Sequence, residues 1–118
     1  MTDDKKIELK KRMDELLDKY NQQLPNKYHD LEKSWQLYQS DYSNPAFIET
    51  FYRLIHTLKG TAATFGFNTQ ADICFEIQKL LLDVKETNAK LPEENIHEIE
   101  AYLNELKNNI SAPADDMT

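Results

Sequence analysis

Four residues could share one piece of chemistry: His56, Lys59, Gly60 and Gln78. At about 100° per residue, His56 lies about 160° from Leu54 and Leu58 on a helical wheel, and about 180° from Phe65. It therefore faces away from the apolar stripe of its own helix. An imidazole open to solvent can serve as a nucleophile or a base near neutral pH. Lys59 offers a mobile cation suited to an anionic oxygen such as that of a phosphoryl group. Gly60 is the odd member, because glycine inside a helix costs about 1 kcal/mol relative to alanine. Lying one turn after His56 on the same face, it clears space beside the imidazole for another molecule. Ala63, a further turn along, keeps that strip low.

Gln78 falls inside the wide apolar arc of the next helical segment, where a polar side chain needs a hydrogen-bond partner. If the two helices form a hairpin about Gly66, Gln78 reaches the level of His56. Its carbonyl oxygen is then placed to accept from the imidazole Nδ1–H, fixing the ring and leaving Nε2 free. Each residue also has a plainer reading. His56 could be an ordinary surface histidine and Lys59 a solvated lysine. Gly60 could permit close helix packing, and Gln78 could serve a network elsewhere in the bundle.

The elements that would position these groups are legible from apolar periodicity and punctuation. Five helical segments are predicted. The first runs from about Asp3 to Asn21, with Leu9, Met13, Leu16, Leu17 and Tyr20 as its buried stripe. Pro25 opens a second, where Leu24, Tyr28, Leu31, Trp35 and Tyr38 recur at helical spacing. After a turn at 41–44, Asn44 or Ser43 caps a third helix with Pro45 at its first position. Its stripe is Phe47, Ile48, Phe51, Leu54, Leu58, Ala62 and Phe65, and Gly66 supplies a left-handed stop. A fourth helix restarts at Asn68 or Thr69 and runs to about Lys85. Pro92 opens the last, lined by Ile96, Ile99, Leu103, Leu106 and Ile110.

Short connections predict an all-α fold: an antiparallel up-down four-helix bundle with an additional N-terminal helix laid across one end as a lid. Residues 1–110 form the domain, and 111–118 are expected to be a disordered tail or linker.

Composition narrows the functional classes. The 118 residues suit one domain, and a net charge of −7 speaks against nucleic-acid binding, which needs a basic face. The same charge disfavours anionic membranes, and no stretch has the length and purity of a membrane span. A single cysteine, Cys74, allows no internal disulfide and fits a cytoplasmic setting. With two glycines there is no glycine-rich nucleotide loop, so no kinase site is expected. His29 and His97 have no spacing that would join His56 in a metal site, and the Glu-x-x-His pairs of metal-binding bundles are absent.

The run His56-Thr57-Leu58-Lys59-Gly60-Thr61-Ala62-Ala63-Thr64-Phe65-Gly66 resembles the signature of histidine phosphotransfer (HPt) domains. That pattern places Lys and Gly three and four residues after the His and a second Gly ten after it. Several members carry Gln or Glu 22 residues after the His, the position of Gln78. The resemblance covers roughly Leu24 to Ile110.

It implies that His56 is a phosphoacceptor, charged by a receiver-domain aspartyl phosphate or by a sensor histidine kinase, and that it passes the group to a receiver aspartate. Lys59 would hold phosphoryl oxygens and Gly60 would permit approach. Tyr52, Arg53, Ala63 and Phe67 would form the partner-binding rim. No cofactor is implied on this chain, since Mg²⁺ would belong to the receiver. A monomer is expected, because the apolar stripes can all be buried internally. The competing function is a non-catalytic helical bundle that binds a signalling partner without chemistry.

Overall fold

The computed structural model describes residues 2–87 and 89–111, so the expected tail lies almost wholly outside the described residues. Four helices account for the fold: α1 (Thr2–Ser40), α2 (Pro45–Thr64), α3 (Asn68–Thr87) and α4 (Glu93–Ser111). No strand occurs among the described residues. Each helix packs on its neighbours in sequence, and α4 closes the bundle against α1.

The two predicted N-terminal helices are one. Pro25 lies inside α1 without ending it. An interior proline forfeits one hydrogen bond and crowds the preceding turn, at a cost of about 3 kcal/mol. Here the ring is on the solvent side, and the apolar stripe runs through it in phase. Tyr20, Leu24, Tyr28, Leu31, Trp35 and Tyr38 are all buried. Burying a large apolar side chain returns about 1.5–3 kcal/mol. Tyr20 and Leu24, on the N-terminal side of Pro25, together outweigh the break.

The lid is also corrected. Thirty-nine residues of helix span about 58 Å at 1.5 Å per residue, and this matches the 58 Å long axis of the molecule. The first half of α1 therefore continues straight past the bundle. Of its predicted stripe, Tyr20 is buried, but Leu9, Met13 and Leu16 are 65%, 47% and 50% exposed. The premise that every apolar stripe is buried internally fails for this segment.

The helices that carry His56 and Gln78 are closed by strong local signals. Asn44, not Ser43, caps α2: its side-chain oxygen accepts from the Ala46 amide at 2.9 Å, and Pro45 follows at the first position. At the other end Gly66 adopts φ +82°. The Phe67 amide donates to the Ala62 carbonyl at 2.8 Å and the Gly66 amide to the Ala63 carbonyl at 3.2 Å. These are the paired bonds of a Schellman motif, which only a left-handed residue closes without strain. The turn is sealed by Tyr20, whose ring lies 5.2 Å from those of both Phe65 and Phe67. The Tyr20 hydroxyl donates to the buried Gln70 Oε1 at 3.2 Å.

The core gathers Trp35, Phe51, Ile55, Ile77, Leu81, Ile99 and Leu106 around the α2–α3 hairpin. Ile55 is fully buried although it precedes exposed His56. One residue of helix, about 100°, is enough to pass from core to surface.

Candidate functional site

His56 is exposed on α2, with Tyr52 one turn before it and Lys59 and Gly60 one turn after. A Cβ built on Gly60 would meet nothing within 4 Å. The glycine therefore serves no close helix packing, and the space beside the imidazole is open. Thr61 and Thr64 fold their hydroxyls back onto the carbonyls of Thr57 and Gly60, each at 2.9 Å. Their polar atoms are thus taken up by the helix itself. Ala63 is exposed further along the same helix.

The hairpin brings Gln78 to His56 as its position predicts. The Gln78 Nε2 stands 3.1 Å from His56 Nδ1 and donates to the Tyr52 hydroxyl at 2.9 Å. The amide is turned opposite to the expectation: nitrogen, not oxygen, faces the ring. Gln78 Oε1 is buried without a partner, a condition that costs about 1–3 kcal/mol. With the amide nitrogen facing it, Nδ1 can take part in this contact only as an acceptor, which corresponds to the Nε2–H tautomer. Tyr52 and His56 lie nearly parallel, with 4° between planes and 6.4 Å between centroids.

Cations gather around this face of an otherwise acidic chain. Lys85 sits 5.0 Å from the Tyr52 ring centroid and pairs with Glu49 at 3.2 Å. Arg53 is exposed and reaches Glu49 at 3.9 Å, a separation worth little at a solvated surface. Lys59 lies over Phe75 at 5.2 Å, and Lys79 lies over the same ring at 4.9 Å.

Of the predicted rim, Tyr52 and Phe67 are half-buried and Arg53 and Ala63 exposed. Phe67, however, packs on Tyr20 at the hairpin turn, which gives it a structural use. Two exposed apolar side chains beside Gln78 on α3 are not singled out by the sequence pattern. Phe75 and Leu82 are 47% and 41% exposed. They lie on either side of Gln78 along α3, three residues before it and four after. The available signal was the width of the α3 apolar arc, broader than a helix in a four-helix bundle can bury.

A family model described as the Hpt domain matches residues 8–109. The chain belongs to the Hpt domain family. It is a histidine phosphotransfer module of a phosphorelay, in a family whose members exchange phosphoryl groups with receiver domains and kinases. Among solved structures, the Hpt chain is similar to the CheA phosphotransferase domain from Thermotoga maritima. The TM-score is 0.72 at 21% identity, covering 81% of this chain and 91% of that one, a likeness of fold. No curated protein matches the chain. Among the described residues, no helix is long and apolar enough to cross a membrane, and no group of three His, Cys, Asp or Glu could hold a metal ion.

Proposed function

We propose that His56 is the phosphoacceptor of this Hpt domain, and that a receiver domain carrying an aspartyl phosphate docks on the face formed by α2 and α3. One observation carries the reading. An exposed imidazole stands between an open patch at Gly60 and an amide that holds its Nδ1.

In the transfer, Nε2 attacks phosphorus as the bond to the aspartyl oxygen breaks, and the aspartate leaves as a carboxylate. The charge that appears on the ring is carried by protonated Nδ1. Such transfer depends mostly on in-line positioning and charge neutralisation. Lys59 supplies a cation within reach, and Gly60 lets the receiver backbone come close. Phe75 and Leu82 add apolar contact to the rim formed with Tyr52, Arg53 and Ala63. Mg²⁺ belongs to the receiver, and this chain contributes no cofactor and no nucleotide site of its own. We take the domain as residues 1–110 and assign it to the cytoplasm, the setting that exchange with receivers and kinases calls for.

The test is a panel of receiver domains charged with a small phosphodonor and incubated with the protein. Acid-labile phosphate should appear on the wild type and not on His56→Gln. Equal labelling of both proteins, or of neither across the panel, overturns the assignment.

A further inference from the structure

The Gln78 amide bridges two groups of different character. His56 Nδ1 has one hydrogen-bonding role at a time, acceptor or donor, fixed by the tautomer. The Tyr52 hydroxyl can accept and donate. In the arrangement seen, the amide nitrogen donates to both, at 3.1 and 2.9 Å, and Oε1 is buried without a partner. A half-turn of the amide exchanges its ends. Oε1 would then accept from Nδ1–H and from the Tyr52 O–H together, and the amide nitrogen would take the buried position that Oε1 now holds.

These two rotations select two imidazoles. With nitrogen facing the ring, the proton sits on Nε2, which has no free lone pair and cannot attack phosphorus. With oxygen facing the ring, the proton sits on Nδ1 and Nε2 is nucleophilic. One proton passes between ring nitrogens through solvent, and the ring stays neutral. Since His56 is exposed, solvent reaches it in either state.

We propose that Tyr52 is a positioning residue: its hydroxyl, a partner to either end of the Gln78 amide, holds that amide against His56 Nδ1, so that the amide's rotation governs which nitrogen of His56 can accept a phosphoryl group. Tyr52 is itself held in place. Lys85 lies against its ring, Glu49 fixes Lys85, and the ring runs parallel to that of His56. The inference rests on His56 being the phosphoacceptor, but its first readout needs no phosphorylation.

That readout is the ¹⁵N chemical shifts of the His56 ring, which report the tautomer ratio. Tyr52→Phe keeps the ring and removes only the hydroxyl. It should move the ratio in the same direction as Gln78→Leu, and the double variant should match Gln78→Leu alone, because the two residues act through one contact. Transfer from a phosphorylated receiver should slow by about tenfold in Tyr52→Phe, the low end of what partners that orient a histidine contribute in other sites. An unchanged tautomer ratio in Tyr52→Phe, or effects that add in the double variant, overturns the proposal and leaves Tyr52 as part of the docking rim. If no receiver labels the wild type while the tautomer ratio shifts as described, the phosphoacceptor assignment fails and the Tyr52–Gln78 coupling stands.

Discussion

The ammonium of Lys59 lies over the ring of Phe75, 5.2 Å from its centroid, on the neighbouring helix. Lys79 occupies the same ring at 4.9 Å. An exposed cation–π contact is worth about 0.5–1 kcal/mol, little enough for an incoming phosphoryl group to draw Lys59 away. Lys59→Ala should therefore slow transfer by about tenfold or more, as expected for a lost charge-stabilising donor. Urea unfolding should barely change. Single-turnover kinetics from a phosphorylated receiver measure the effect, and an unaltered rate would make Lys59 an ordinary surface lysine.

Gly60 separates stability from function. A Cβ there meets open space, so Gly60→Ala should stabilise the protein by about 1 kcal/mol through helix propensity alone. Gly60→Gln should keep part of that gain yet slow transfer, because its side chain fills the clearing. Denaturant midpoints and transfer kinetics should move in opposite senses. Normal transfer by Gly60→Gln would refute the clearing.

Tyr20 ties α1 to the start of α3. Removing its hydroxyl leaves Gln70, which is buried, with an unpaired oxygen. Tyr20→Phe should cost about 1–3 kcal/mol in urea unfolding while leaving transfer on His56 intact. A wild-type midpoint would show that this hydrogen bond is replaced by solvent.

High pH should unfold the bundle earlier than its carboxylates would suggest. Burial pushes the Cys74 thiol up from 9.0 to about 12, against a lesser opposing pull from Lys59. Burial likewise raises the hydroxyls of Tyr20 and Tyr38 from 10.0 to about 12. Above their unfolded values the unfolded chain has released protons that the folded chain keeps, so stability falls as pH rises. The contribution is whole below about pH 9 and is lost progressively towards about 12. Cys74→Ala should flatten this decline, as read from denaturant midpoints taken across that range. An identical slope in the variant would remove Cys74 from the account.

The exposed half of α1 gives a contrast within one helix. Leu16→Ala, at a half-exposed position, should change stability by less than about 0.5 kcal/mol, whereas Leu24→Ala should cost about 2–5 kcal/mol. Equal costs measured by denaturation would mean that the N-terminal segment is covered after all.

The placement of His56 and its neighbours was legible where spacing alone decides geometry. His56, Lys59 and Gly60 share a helix, so a wheel places them. Gly66 fixes the hairpin, so the 22-residue offset brings Gln78 to Nδ1. What escaped depends on competition between distant terms. Pro25 reads as a boundary, but the burial of Tyr20 and Leu24 on its far side outweighs the lost backbone bond. Leu9, Met13 and Leu16 have the spacing of a buried stripe, and periodicity states which face is apolar without stating what lies against it. Phe75 and Leu82 were hidden by their neighbours, since an apolar arc does not say where the core ends. The rotation of the Gln78 amide depends on Tyr52, whose hydroxyl no spacing rule connects to it.

Every group described around His56 comes from α2 or α3, between Glu49 and Lys85. The hairpin that presents these groups also supplies Phe51, Ile55, Ile77 and Leu81 to the core, so one stretch both builds the bundle and carries the His56 face. Substitutions on the solvent faces of α1 and α4 should leave the geometry at His56 unchanged, so long as both helices still cover the hairpin. Transplanting this one uninterrupted stretch between two compatible bundles should carry the arrangement of Tyr52, His56, Gly60 and Gln78 with it.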